Sequence, residues 1–119
     1  QLQHHNNMKA IERAVSHFED QDVRVTIVDE WKDEHGNPLK IYSKPLTLAE
    51  TSKLYKMSQQ DDLKMMAMVL VYKALDESGE KIFDLEDKNT LLNRVEQEVL
   101  VRVATAMMGQ EPQEKVKKN

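Results

Sequence analysis

The sequence predicts an α+β fold in which an N-terminal helix and one β-hairpin precede about four further helices, all within a single small domain. Three observations predict it. Apolar residues recur at helical spacing as far as Phe18 and switch to a period of two at Val23. Turn formers gather at residues 33–38 between two alternating stretches. After Pro45, helix-start signals follow one another as far as Gly109. With 119 residues the chain supports one core and not two.

Residues 1–7 are nearly all Gln, His and Asn. They bury too little apolar surface to offset their ordering entropy, and read as a disordered segment or an appended remnant. The domain is expected over residues 8–109. Residues 8–19 set Ile11, Ala14, Val15 and Phe18 along one stripe of a short amphipathic helix. Val23, Val25 and Ile27 then alternate with Arg24 and Thr26, and Val28 and Trp31 follow, as in a half-buried strand. The turn Asp33-Glu34-His35-Gly36-Asn37-Pro38 centres on Gly36. Leu39, Ile41 and Ser43 alternate with Lys40, Tyr42 and Lys44 on the return strand, which Pro45 ends.

Thr47-Leu48-Ala49-Glu50 is a capping box: the Thr hydroxyl accepts from an early helical N–H while Glu50 reaches back to the N–H of the cap residue. A helix is expected over residues 48–58, with Leu54, Tyr55 and Met57 available for packing. Another starts near Asp61, where Asp61 and Asp62 complement the positive end of the helix dipole, and runs to about Leu75. Its stretch 65–72 is apolar on nearly every face, as in a central core helix or one with a core face and a partner face. Gly79, in the polar break 76–80, is the expected left-handed stop. Ile82 and Phe83 form a short extended anchor, and Asp84 caps a helix over 85–92. Asn93 with Glu96 is expected to cap the last helix, which runs to Met108 and is stopped by Gly109 and Pro112. Residues 110–119, with Lys115, Lys117 and Lys118, read as a flexible charged tail.

Composition narrows the function classes. The chain has 17 Lys and Arg against 21 Asp and Glu, a net charge of −4, so no basic nucleic-acid footprint spans it. The absence of Cys removes disulfide scaffolds, thiolate zinc sites and Cys nucleophiles. The apolar run 65–72 is far short of the ~20 residues that a membrane span needs, and the first residues lack a signal-peptide plan. A soluble, cytoplasmic protein is expected. His17 and His35 have no partner at metal-ligand spacing, and His4 with His5 supplies fewer ligands than a useful site needs. Calcium loops begun at Asp76 or Asp84 place Lys81 or Asn89 where Gly is required. Three glycines, at 36, 79 and 109, make no phosphate loop, and no Ser sits in a nucleophile elbow. Neither enzyme activity nor a cofactor or metal is expected.

Surplus apolar surface is the positive signal. The chain carries seven Met, with Met65, Met66, Met68 and Met107, Met108 in two clusters. Core filling is the plain reading of any one of them, because Met adapts to irregular gaps. Yet the last helix offers Val95, Val99, Val103 and Ala106 on one face and Leu100, Ala104, Met107 and Met108 on the next. With residues 65–72, this is more apolar helix than a small domain easily hides. The candidate surface for self-assembly or client binding is therefore Met65, Met68, Val69, Tyr72, Val99, Leu100, Val103, Met107 and Met108. Lysine substitution of Met107 and Met108 is expected to weaken assembly while leaving the chain folded.

The order of features is similar to a known family. A Val-rich strand runs into Glu30-Trp31, a Gly-containing turn leads to Leu39-Lys40-Ile41-Tyr42, and Pro45-Leu46-Thr47-Leu48-Ala49-Glu50 opens a helix. A Met/Val-rich helix, the segment Asp76-Glu77-Ser78-Gly79 to Ile82-Phe83-Asp84, a Leu-Leu helix and a final Val/Ala helix complete it. Over residues 23–109 this resembles the tail assembly chaperones of long-tailed bacteriophages. The resemblance implies a non-catalytic protein of the host cytoplasm, absent from the mature virion. It would self-associate, coat the tape measure protein to keep it soluble, and bring tail tube protein to it. It also implies the short form of a pair whose rarer, frameshifted member carries a C-terminal extension; an A-rich slippery stretch could encode Lys117-Lys118-Asn119. No binding residue transfers from the family, and neither nucleic acid nor membrane is an expected partner. Read without the resemblance, the residues also fit a generic homo-oligomeric adaptor, or a small nucleic-acid-binding regulator that uses the basic tail.

Overall fold

A computed structural model describes residues 8–109. The expectations for residues 1–7, for the tail 110–119 and for Pro112 lie outside the described residues. The elements are α1 (Ala10–Asp20), β1 (Arg24–Lys32), β2 (Pro38–Ser43), α2 (Leu48–Met57), α3 (Asp62–Lys73), a 3-10 turn (Leu85–Asp87), α4 (Lys88–Asn93) and α5 (Gln97–Met107). This is the expected α+β order: a helix, an antiparallel hairpin and four helices.

The hairpin turn is held by one carboxylate. Asp33 Oδ1 accepts from the backbone N–H groups of His35 and Asn37, both at 2.9 Å, and Gly36 takes the φ of +85° that closes the turn. Strand register pairs Arg24 with Ser43, Thr26 with Ile41 and Val28 with Leu39, then slips before Lys32 meets Pro38. Beyond β2, Tyr42 and Leu75 exchange two backbone hydrogen bonds of 2.8 Å, and Leu75 also bridges to Lys81.

The core is built around α3, which buries Met65, Ala67, Met68, Val69, Leu70 and Val71. It packs against α2, α4 and α5, while α5 also packs against β1. Val28 and Ile41, both fully buried, bring the inner hairpin face to the same core. Of the two readings open for residues 65–72, the central core helix is the observed one. Each large side chain so buried contributes roughly 1.5–3 kcal/mol against exposure.

Caps fall where short-range chemistry places them. Thr47 Oγ1 accepts from Glu50 N at 3.1 Å and Glu50 Oε1 accepts from Thr47 N at 2.9 Å. Asp61 Oδ1 accepts from Leu63 N and Lys64 N, at 2.9 and 3.1 Å. Three boundaries differ from expectation. α3 stops at Lys73 because Ala74 turns extended and frees Leu75 to pair with Tyr42, so Gly79 (φ +93°) serves the turn 76–80 rather than the helix end. That turn is closed by Asp76 Oδ1, which accepts from Ser78 N and Glu80 N, both at 2.9 Å. The helix expected over 85–92 divides into the 3-10 turn and α4. Asn93 is the last residue of α4, donating to Asn89 O at 2.8 Å, and α5 begins after Glu96 without a side-chain cap. Between α2 and α3, Gln59 and Gln60 both adopt left-handed backbone (φ 58° and 60°), a link that no Gly or Asn announced.

Candidate interaction surface

Of the nine residues expected to form a surface, seven line the core and two lie at its edge. Met65, Met68, Val69, Val99, Leu100, Val103 and Met107 are all at or below 8% exposed, and Tyr72 and Met108 are half-buried at its edge. The physical reason is the position of α5. It lies between α3 and β1, so two adjacent faces are covered at once and the apparent surplus is consumed inside the chain. The Tyr72 ring still carries the Lys81 ammonium 5.1 Å from its centroid.

Leu48, Met57, Leu63 and Leu85 are exposed at separate places, and the other exposed large apolar residues fall on and beside α1 and β1. On α1, Ile11, Val15 and Phe18 are 67, 46 and 39% exposed, and no residue of the helix is buried. Glu12 and Glu19, seven residues apart, run along one side of this stripe. On β1, Val25 and Ile27 are 47 and 53% exposed, and Val23 before them is exposed too. The period of two in β1 is therefore present, but its more apolar face points to solvent. Arg24, Thr26 and Val28 point inward with Leu39, Ile41 and Ser43 of β2. Lys40, opposite Ile27, is exposed on the outer side of the hairpin, and Lys44, just past β2, is exposed too.

Arg24 supplies a reason for the choice of face. Its Nη1 donates toward Ala106 O at 3.3 Å and Met107 O at 3.4 Å, two carbonyls of the last turn of α5, where the helix dipole favours a cation; Ala106 O also accepts from Gly109 N at 3.1 Å. Turning Val25 inward would withdraw this cap. Arg102 and Glu30 add a fork of 3.0 and 2.5 Å between α5 and β1. The Arg102 hydrogen bonds hold the Glu30 carboxyl below the usual carboxylate range, and Glu30 in turn raises Arg102. Glu50 is lowered first by the Thr47 N–H and then by Lys73, whose Nζ lies 3.0 Å from Oε2 and ties α2 to α3. Asp33 and Asp76 are lowered by the backbone N–H groups of their turns. All these carboxylates are accounted for by caps, turns and ties between elements.

A shallow cleft of about 550 Å³ opens beside Trp31, Ile82, Phe83, Leu91 and Val95. The Trp31 and Phe83 rings meet edge to face, with centroids 6.5 Å apart and planes at 77°. Among the described residues, no group of three or more His, Asp or Glu is placed to hold a metal ion, and no helix is long and apolar enough to cross a membrane. The arrangement suits apolar docking. The surplus read from the sequence was assigned to residues 65–72 and to the last helix, which are largely buried; the signal for an exposed apolar face was the amphipathic stripe Ile11, Val15 and Phe18 of α1. No family model matches the chain, and no curated protein or solved structure matches it.

Proposed function

We propose that this protein is a non-catalytic tail assembly chaperone of the bacteriophage type, which self-associates, binds the tape measure protein to keep it soluble, and helps recruit tail tube protein in the host cytoplasm. The observation that carries the reading is the open stripe of α1, with Ile11, Val15 and Phe18 exposed and no residue buried. A helix of 11 residues is marginal in water without a packed face. Covering the part of these side chains still open to water is favourable, so a partner is favoured. The resemblance over residues 23–109 supplies the identity of the client, and an exposed apolar stripe is the kind of surface that a long helical client calls for.

Co-expression with the tape measure protein encoded nearby, followed by a soluble pull-down at moderate salt, tests this. Recovery of the client in a large soluble complex is the expected result. A folded chain that leaves the client insoluble and unbound, with and without a frameshifted longer form, overturns the reading in favour of an adaptor with another client. Steeply salt-dependent binding of DNA or RNA would instead point to a nucleic-acid regulator.

A further inference from the structure

We infer that α1 of one copy lays its apolar stripe on the outer hairpin face of a second copy of this chain. This rests on the self-association part of the proposed function and names the two faces that meet. One face is a helix stripe of Ile11, Val15 and Phe18; the other is a strand face of Val23, Val25 and Ile27. Each is apolar, each is exposed, and each is bordered by charge of the opposite sign. Glu12 and Glu19 flank the stripe, while Lys40 stands opposite Ile27 on the hairpin face and the exposed Lys44 follows β2; Asp29 lies farther along β1, beyond Ile27. That complementarity selects the hairpin as the seat of the helix and orients it, with its acidic side toward β2.

Within one copy both faces remain exposed among the described residues. The link from α1 to β1 is only Gln21, Asp22 and Val23, with Gln21 extended (φ −71°, ψ 136°), and both faces stay open at its ends. A second copy brings the same pair together without bending that link. Donor and acceptor are different surfaces, so a reciprocal exchange closes a dimer and a one-way exchange runs on as an open chain. Either form covers the exposed strand face, which left open is an aggregation liability.

The test uses the full chain alone, with no client present, in sedimentation velocity and light scattering across a concentration series. The unsubstituted chain is expected to associate. Ile11→Glu with Phe18→Glu removes the donor, and Val25→Lys with Ile27→Lys removes the acceptor; each pair is expected to weaken association more than about tenfold while circular dichroism shows the fold retained. Mixing the two variants restores one intact donor and one intact acceptor, so a heterodimer is expected. Reversing Glu12 and Glu19 to Lys should weaken association, and combining this with Lys40→Glu and Lys44→Glu should recover it. A monomeric unsubstituted chain, variants that associate as it does, or a mixture that stays monomeric would each overturn the inference. A monomer that still holds the tape measure protein in solution overturns this contact and leaves the chaperone reading standing, so the two failures are distinguishable.

Discussion

The Arg24 guanidinium occupies the space that a side chain on Gly109 would need. A Cβ on Gly109 would lie 2.6 Å from Arg24 Nη1, the atom that reaches the Ala106 and Met107 carbonyls at the end of α5. The first strand and the last turn of the described chain are thus fitted to each other across 82 residues of sequence.

Gly109→Ala is therefore expected to destabilise the protein through two causes. Its φ of +83° costs an L residue roughly 1–2 kcal/mol, and the guanidinium must leave its carbonyls. In an Arg24→Ala background only the backbone cost remains. Urea unfolding of the two single variants and the double variant measures the coupling, and equal costs of Gly109→Ala in both backgrounds would refute it.

Thr47→Ala removes one half of the capping box of α2, and a loss of about 1 kcal/mol is expected. Thr47→Ser keeps the accepting oxygen and should stay close to the unsubstituted chain. Chemical denaturation midpoints separate the two; a Ser variant as weak as the Ala variant would mean the hydroxyl is not what matters.

Glu50 makes stability depend on pH. Its folded-state pKa lies below the ordinary value of 4.5, so its contribution is fully present above that value and is lost as pH falls through the lowered one. In Glu50→Gln the neutral-pH midpoint should drop, and the gap to the unsubstituted chain should narrow in the acid range below 4.5. The carboxylate is partly exposed, so added salt should shrink the gap as well. A gap constant from neutral to acid pH would show that the carboxylate charge is irrelevant.

Met107 and Ile11 should respond in opposite ways to charge. Met107 is 1% exposed, so Met107→Lys places an unpaired ammonium in the core and should abolish cooperative folding, contrary to the surface role its spacing suggested. Met68→Ala, at 3% exposed, should cost about 2–5 kcal/mol. Ile11→Lys, on the open stripe, should change the unfolding midpoint of the isolated monomer by no more than about 0.5 kcal/mol. Thermal melts of all three at low concentration decide it.

Ser43 is buried beside Arg24 in the strand register, and its Oγ has no hydrogen-bond partner among the described residues. Ser43→Ala should be neutral or stabilising, because it removes a desolvated hydroxyl and leaves the packing methylene in place. A marked loss of stability would require a partner for that hydroxyl.

Much of this molecule follows from interactions a few residues long. The Thr47–Glu50 cap, the Asp61 cap and the Gly36 turn each involve groups within four positions, and so can be read from residue order alone. The apolar run 65–72 marked a helix that is either central to the core or shared between core and partner, and tertiary packing chose the former. Tertiary contacts decided the rest. Period two in β1 guarantees two faces but does not say which is buried; the reach of Arg24 to the end of α5 and the partners Ile41 and Leu39 set that. Helical propensity would carry α3 past Lys73, and the Leu75–Tyr42 pairing ends it. Whether an apolar stripe is core or interface depends on what stands opposite it in space. Hence α5, apolar on two faces, is enclosed between α3 and β1, while the stripe of α1 is left exposed among the described residues.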